Sequence, residues 1–217
     1  DLRRIRLRGR MIWNLTRRCN LHCLHCYSQS QDRAYTDELT TDEGKRLVDS
    51  LAGYKIPMTI LSGGDPLYRD DLYTLAEYAH DTGLRCALST NGTLIDATVA
   101  KRLKLAGITY VGVSLDGIGQ VHDRFRGMQG SFTLALQGLR HARDAGIKVG
   151  IRTALCHRTL PDLPAIFDLA EQESLDRLYF SHLVYAGRGT GLIHDDLSPE
   201  DKRSSLDYLV QRAVDFY

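Results

Sequence analysis

Short apolar runs alternate with longer amphipathic stretches along most of the chain, and this rhythm restricts the fold more than any other feature. The runs are rich in β-branched and apolar residues, as buried strands are. Six can be identified: Met11–Leu15, Met58–Ser62, Arg85–Ser89, Tyr110–Ser114, Lys148–Ala154 and Arg177–His182. Strands that alternate with helices favour a parallel sheet of βα units, an α/β architecture. Six units are too few for a closed eight-stranded barrel.

Local signals mark the helices between these strands. Thr40 and Glu43 form a capping-box pattern, and apolar residues recur at helical spacing after Ser131. A glycine suited to a left-handed helix end precedes three of the strands, at Gly83, Gly107 and Gly146. Pro199 opens a last helix, which carries one apolar side made of Leu206, Leu209, Val210, Ala213 and Val214.

Composition favours one ordinary globular domain. The chain has 217 residues, of which 43% are hydrophobic and 25% charged, so we predict a single domain over residues 1–217. A net charge of +1 gives no field that would attract nucleic acid or an anionic membrane, and neither partner is predicted. No apolar run is long enough to span a bilayer and the first residues do not resemble a secretory signal, which predicts a cytoplasmic protein.

The N-terminal residues alternate between basic and other side chains. Arg4, Arg6, Arg8 and Arg10 fall on one side of this period-two pattern. We interpret it as an edge strand with one basic face, and a surface for a carboxylate-rich substrate is the alternative.

Three of the five cysteines are clustered, at Cys19, Cys23 and Cys26, directly after the first predicted strand. In a cytoplasmic protein this pattern favours metal binding over disulfides. Three thiolates leave a tetrahedral metal, or one iron of a [4Fe-4S] cube, one ligand short, and an open position is where chemistry occurs. A structural zinc site completed by His22 or His25, or a chance grouping of thiols, is the alternative.

The remaining two cysteines, Cys86 and Cys156, lie in apolar segments. We interpret them as small buried hydrophobic residues.

Polar and glycine-rich segments follow three of the predicted strands. They are Gly63-Gly64-Asp65-Pro66, Ser89-Thr90-Asn91-Gly92 and Ser114-Leu115-Asp116-Gly117. In α/β barrels the site lies at the carboxyl ends of the strands, so we expect these segments to meet there. Glycines admit close backbone approach, and the side chains can bind hydroxyl, ammonium or carboxylate groups. Each segment could alternatively be a turn and nothing more.

Two arginines are candidates for binding a carboxylate. Arg152 lies inside a predicted strand, where an unpaired guanidinium is costly to bury, and we favour it over Arg126. For Arg124 and Arg126 the alternative is a solvated loop charge.

In combination, these motifs resemble the radical S-adenosylmethionine (SAM) enzymes. The resemblance implies an open, three-quarter (β/α)6 TIM barrel with a [4Fe-4S] cluster on Cys19, Cys23 and Cys26, whose fourth iron is left to SAM. It also implies that SAM is cleaved to a 5′-deoxyadenosyl radical, with an electron donor such as flavodoxin or ferredoxin. The SAM-site residues that it implies, together with the two arginine candidates, are Tyr27, Gly63, Gly64, Asp65, Ser89, Asn91, Ser114, Asp116, Arg126, Arg152 and His182. Two positions depart from the family pattern: His25 replaces an aromatic residue, and Asp65 is one methylene shorter than the usual Glu.

Finer similarity extends to the radical SAM proteins of haem d1 biosynthesis. It rests on Ile12–Cys19 and on Ser181–Gly189, and it implies modification of propionate side chains on an iron tetrapyrrole, with His182, Tyr185 and Arg188 facing the substrate or SAM. Enzymes of the alternative haem pathway and SPASM-type peptide-modifying enzymes share the core motifs. Such relatives carry further cysteines for an auxiliary Fe-S cluster, and none follows Cys156 here, which predicts that an auxiliary-cluster region is missing from this chain. A zinc-stabilised binding module and an Fe-S electron carrier are the non-enzyme alternatives.

Overall fold

The computed structural model describes residues 9–215, which form one six-stranded parallel sheet in the order β1-β2-β3-β4-β5-β6. The strands are β1 Met11–Thr16, β2 Met58–Gly63, β3 Arg85–Thr90, β4 Ile108–Ser114, β5 Lys148–Leu155 and β6 Arg177–His182. Among the described residues β1 pairs only with β2 and β6 only with β5, so the sheet is an open partial barrel. The predicted fold class is confirmed, and the only strand boundary that differs by more than one residue is the start of β4.

Helices connect successive strands and cover the outside of the sheet. They are α1 Thr41–Gly53, α2 Leu72–Asp81, α3 Ala97–Leu105, α4 Gln120–Arg126, α5 Ser131–Asp144, α6 Leu163–Gln172 and α7 Pro199–Asp215. Apolar residues on their inner faces pack on the sheet in one continuous core; examples are Val48, Leu75, Leu103, Leu139 and Ile166. Buried apolar area of this kind is the main source of stability in such a fold.

The local signals for helix ends are confirmed. Thr40 accepts from the Glu43 amide while the Glu43 carboxylate accepts from the Thr40 amide, which completes the capping box of α1. The three predicted helix-end glycines all have a positive φ, near 80° at Gly83 and Gly107. Cys86 and Cys156 are buried apolar residues, as predicted.

The apolar side predicted for α7 does not all face the core. Leu209 packs near Phe167, but Leu206, Val210 and Val214 are more than half exposed. Three residues of the predicted basic edge strand, Arg4, Arg6 and Arg8, lie outside the described residues. The fourth, Arg10, donates to the Tyr179 hydroxyl. Within residues 9–215, no helix is both long and apolar enough to cross a membrane.

Candidate active site

A cavity of about 290 Å³ opens at the carboxyl ends of the strands, and residues from all six strands or the segments after them line it. Parallel strands bring these ends to one edge of the barrel, which is why motifs far apart in the sequence meet. The predicted site residues on its wall are Cys19, Cys23, Cys26, Tyr27, Gly63, Gly64, Ser89, Asn91, Ser114, Asp116, Arg126, Arg152 and His182. Three residues predicted to face SAM or the substrate are not on the wall: Asp65, Tyr185 and Arg188.

The three clustered cysteines lie in the loop after β1, and hydrogen-bond donors surround their sulfur atoms. Cys19 Sγ accepts from the Leu21 amide at 3.4 Å and from Asn91 Nδ2 at 3.7 Å. Cys23 Sγ lies 3.7 Å from Arg126 Nη1, and Cys26 Sγ accepts from the Ser30 amide at 3.4 Å. Donors of this kind stabilise a thiolate more than a thiol.

Burial raises the pKa of each of the three thiols, whereas these hydrogen-bond donors lower it. Burial, reinforced by Asp65, raises the pKa of Cys19 to about 12. Burial also raises the pKa of Cys23, although Arg126 opposes it. The pKa of Cys26 is lowered, because hydrogen bonds from Ser28 and Ser30 outweigh the effect of burial. A positive ligand that binds thiolates must therefore drive deprotonation at the two more buried sites.

Arg126 is buried and paired, so it is neither a solvated loop charge nor a free carboxylate clamp. Its Nη2 lies 2.5 Å from Asp116 Oδ2, and the side chain is 11% exposed. Asp116 is fully buried at the end of β4, and its Oδ1 accepts from the Ala154 amide at 2.6 Å. Arg124, in contrast, is exposed.

Arg152 projects from β5 beside the end of β3. Its Nη1 lies 2.5 Å from the hydroxyl of Ser89, and Ser114 is its cross-strand neighbour in the sheet. Within the described residues no acidic side chain forms an ion pair with Arg152, unlike Arg126. The preference for Arg152 as a carboxylate-binding residue stays a prediction, and this geometry is compatible with it.

The two glycines after β2 pack against the start of the cysteine loop. The Gly64 amide donates to the Thr16 carbonyl at 2.6 Å, and a Cβ at Gly63, where φ is +137°, would lie 2.2 Å from that same oxygen. Only glycine fits at Gly63 without moving the backbone. The pair therefore joins the end of β2 to the cysteine loop while lining the cavity.

The Asp65 carboxylate is turned into the protein. Its Oδ2 accepts from Thr90 Oγ1 at 2.7 Å and the Asn91 amide at 2.8 Å, and its Oδ1 accepts from the Leu67 amide at 3.0 Å. The side chain is fully buried, and burial raises its pKa despite these bonds. In this geometry it holds the ends of β2 and β3 together, and direct contact with a ligand stays a prediction.

Tyr27 and His182 lie at opposite edges of the open sheet. Tyr27 is 46% exposed and its hydroxyl donates to Asn14 Oδ1 in β1 at 3.1 Å, whereas His182 is the exposed last residue of β6. Both line the cavity.

Arg188 was predicted to face the substrate or SAM, but its side chain contacts the cysteine loop instead. Its Nε donates to the Cys23 carbonyl at 2.8 Å. Asp123 was not predicted from the sequence: its carboxylate accepts from the Gly130 and Phe132 amides and the Ser131 hydroxyl at the start of α5. No local sequence pattern indicates the Arg188 contact. The Asp123 contact has a weak signal, because this acidic residue precedes the pair Gly130-Ser131 at the start of a predicted helix.

The family model of the radical SAM superfamily matches residues 13–170, which include the cysteine loop and the ends of β2 to β5. The chain belongs to the radical SAM superfamily. The predicted family, and with it the expectation that the chain is an enzyme, are confirmed. Members of this superfamily use a [4Fe-4S] cluster and SAM, and these are the cofactors of this chain.

Proteins named as synthases of haem-related compounds are among the similar sequences. The chain is 51% identical to Fe-coproporphyrin III synthase of Methanosarcina barkeri and 43% identical to pre-heme d1 synthase of Dinoroseobacter shibae. Both alignments cover 94% of this chain. It is 38% identical to the AdoMet-dependent heme synthase of M. barkeri over 92% of its length. The matches cover 51%, 51% and 57% of those proteins, so this chain spans about half their length.

Solved radical SAM structures share the fold. SuiB of Streptococcus suis bound to S-adenosylmethionine aligns with a TM-score of 0.74 and 14% identity, covering 94% of this chain and 48% of SuiB. Methylornithine synthase PylB aligns with a TM-score of 0.71 and 18% identity, covering 91% of this chain and 60% of PylB. At these identities the likeness shows the partial barrel alone.

The superfamily cofactors fit the residues around the cavity. Each of three thiols on one wall has hydrogen-bond donors at its sulfur, as an anionic cluster requires. Elsewhere on the wall are hydroxyls, an amide and a guanidinium, from Ser89, Asn91 and Arg152, which suit the polar parts of SAM. In the described part of the chain, no group of three or more His, Cys, Asp or Glu side chains has an arrangement that could hold a metal ion.

Proposed function

We propose that Cys19, Cys23 and Cys26 hold the [4Fe-4S] cluster of a radical SAM enzyme that modifies propionate side chains of an iron tetrapyrrole. One observation carries the first half of this proposal: the three thiols share one cavity with the strand-end residues suited to SAM. A cluster bound at three corners leaves its fourth iron for an exchangeable ligand.

Different residues at the strand ends are proposed to bind different parts of SAM. Arg152 is the better candidate for the SAM carboxylate, because the Arg126 guanidinium is already paired with Asp116 and lies beside Cys23. The candidates for the methionyl and ribose parts are Ser89, whose hydroxyl accepts from Arg152, and Asn91, which donates to Cys19 Sγ. The backbone of Gly63 and Gly64 lines the cavity and is the proposed contact for the SAM amino group on this wall.

A cluster held by Cys19, Cys23 and Cys26, together with SAM and one electron from an external donor, would supply a 5′-deoxyadenosyl radical that takes hydrogen from a substrate, with methionine as the other product. The protein orients SAM and limits access of solvent to the reacting atoms. Groups from β1 to β5 and from the segments after them line the cavity, and the proposed role of Ser89, Asn91 and Ser114 is to hold SAM in position. No described residue is needed as an acid or a base for hydrogen transfer.

The substrate proposal rests on the names of the relatives and on the open side of the cavity. All three relatives named above carry haem or Fe-coproporphyrin in their names. Ile12 of β1 and Val184 after β6 are exposed at the two sheet edges and line the cavity with Leu183, while His182 adds a polar group. A flat apolar macrocycle with carboxylate side chains matches such a mixed wall.

The experiment uses the whole protein, reconstituted anaerobically with iron and sulfide. We expect about four irons per protein and, with SAM and dithionite, release of 5′-deoxyadenosine. Offered didecarboxysirohaem and iron coproporphyrin III separately, the enzyme should shorten the side chains of one of them, which mass spectrometry detects. Loss of propionate side chains from didecarboxysirohaem would favour the haem d1 reaction, whereas its conversion to iron coproporphyrin III would favour the reaction for which the 51% identical relative is named. Change in iron coproporphyrin III alone would favour a haem synthase of the alternative pathway.

Three other results would contradict the proposal. Both tetrapyrroles unchanged beside a modified cysteine-containing peptide would favour a peptide-modifying enzyme. Stoichiometric zinc without iron would favour a structural module, and a cluster that never cleaves SAM would favour an electron carrier. A cytoplasmic location, the electron donor and an auxiliary cluster beyond this chain stay predictions.

A further inference from the structure

The segment Gly187-Arg188-Gly189, which follows β6, lies against the three-cysteine loop that follows β1. A Cβ at Gly187, where φ is +57°, would lie 2.4 Å from the Tyr27 carbonyl oxygen and 2.5 Å from that of Cys26. The positive φ and the absence of space both require glycine. The amide of Arg188 donates to the Cys26 carbonyl at 2.9 Å, so the two backbones are in direct contact.

The Arg188 side chain extends this contact to two more carbonyls of the same loop. Its Nε donates to the Cys23 oxygen at 2.8 Å and its Nη1 to the Ser30 oxygen at 3.0 Å. Together with the backbone amide, one residue therefore binds three carbonyls between Cys23 and Ser30. The guanidinium is a rigid planar fork, so it fixes the distance between its two acceptors, which a lysine could not do.

One nitrogen of this guanidinium has no partner within residues 9–215. Arg188 Nη2 is buried and has no hydrogen-bond partner among the described residues. A buried donor without an acceptor is costly and uncommon. A thiolate or sulfide of a cluster bound by this loop would be an acceptor of suitable charge.

We propose that Arg188 is a positioning residue for the cluster. It holds the carbonyls of Cys23, Cys26 and Ser30 so that the loop keeps its shape before the cluster binds, and it adds positive charge beside the anionic cluster. The inference rests on the proposed function only in taking the three cysteines as cluster ligands.

The first test measures amide hydrogen exchange in the metal-free protein, which needs neither SAM nor tetrapyrrole. In Arg188→Gln, amides from Cys23 to Ser30 should exchange about tenfold faster than in the wild type, because two charge-assisted bonds are lost. Arg188→Lys should lie between the two, since it keeps the charge without the fork. The matched control is Arg140→Gln, which loses bonds of 2.5 and 3.1 Å to Glu173 on the outer helices and should leave the loop unchanged.

Two outcomes of this exchange experiment would overturn the proposal. Unchanged protection at Cys23–Ser30 in Arg188→Gln would mean that the bonds do not hold the loop. Faster exchange spread evenly over the sheet would mean that Arg188 supports the whole fold rather than the loop.

The second test follows the reconstituted cluster. We expect Arg188→Gln to lose iron to a chelator several-fold faster than the wild type or Arg140→Gln, and to give a changed electron paramagnetic resonance spectrum after reduction with dithionite. Equal rates of iron loss and an unchanged spectrum would overturn the proposal. If the cluster responds as expected while both tetrapyrroles remain unaltered, the substrate assignment fails and the role of Arg188 stands.

Discussion

Asp116 Oδ2 and Arg126 Nη2 lie 2.5 Å apart in a pair that joins the end of β4 to the end of α4 beside the cysteine loop. The carboxylate also binds the Ala154 amide at the end of β5, and the guanidinium reaches toward Cys23 Sγ. Burial would raise the pKa of Asp116, but Arg126, His25 and the Ala154 amide hold it below the usual value. The residue is therefore ionised in the folded protein at neutral pH.

Replacing Asp116 with Asn should destabilise the protein strongly, because it leaves a buried guanidinium without its counter-charge. We expect a loss of about 3–5 kcal/mol in the free energy of unfolding, measured by urea denaturation of the metal-free protein at pH 7. Asp195→Asn removes the partner of Arg158 in a surface pair and is the control, with an expected loss below about 1 kcal/mol. Equal small losses in the two variants would contradict the paired, buried geometry.

Replacing a cysteine at the cavity should reduce the iron bound by the protein, whereas replacing a cysteine in the core should not. Cys19→Ala should prevent stable cluster assembly, because two thiolates cannot hold a three-corner cluster. Cys86→Ala, at a cysteine fully buried in β3, should bind as much iron as the wild type while unfolding more easily. Iron and sulfide analysis after anaerobic reconstitution gives the comparison, and equal iron loss in both variants would argue against a specific ligand set.

His122 should make the folded protein sensitive to mild acid. Burial, helped by the charge of Arg126, lowers the pKa of His122 to about 4. In the unfolded chain a histidine titrates near 6.5, so between these values the unfolded state binds more protons. The free energy of unfolding should therefore fall as the pH drops from about 6.5 to 4, by up to about 3 kcal/mol for this residue.

Asparagine at position 122 tests this origin of the pH dependence. Its Oδ1 can still accept from the Asp116 amide, which His122 Nδ1 now does at 3.1 Å, but it does not titrate. Burial also lowers the pKa of His25 to about 4. His122→Asn should therefore remove only part of the pH dependence of the free energy of unfolding. The control is the exposed His194→Asn, and an identical slope in all three proteins would contradict the assignment.

The sequence predicts the sheet well because its signals are local. Strands of a parallel sheet are buried on both faces and appear as apolar runs, and the capping box at Thr40 fixes a helix start from four adjacent residues. Strand order then brings Gly63, Ser89 and Ser114 to one edge without further information. For this reason most of the predicted site residues line the cavity, and Asp65, Tyr185 and Arg188 are the ones that do not.

The side-chain directions could not be predicted, because they depend on residues distant in the sequence. Whether Arg126 is solvated or buried depends on Asp116 at the end of another element. Arg188 contacts Cys23 across 165 residues, between the two edges of the open sheet. Neither contact leaves a periodic or capping pattern in the sequence.

Asp65 offers a direct test of the difference between a structural and a SAM-binding carboxylate. It accepts three hydrogen bonds, from Thr90, Asn91 and Leu67, and Asp65→Asn would put an amide donor against at least one of these donors. We expect a loss of about 2–3 kcal/mol in the free energy of unfolding of the metal-free protein, with no SAM present. Asp96→Asn is the matched control: Asp96 caps α3 through the Val99 amide at 2.7 Å, and Asn is nearly as good a cap, so its loss should be a few tenths of a kcal/mol at about neutral pH. Unchanged stability of Asp65→Asn together with weaker SAM binding to the reconstituted protein would instead place the carboxylate on SAM, because only a ligand contact would then be lost.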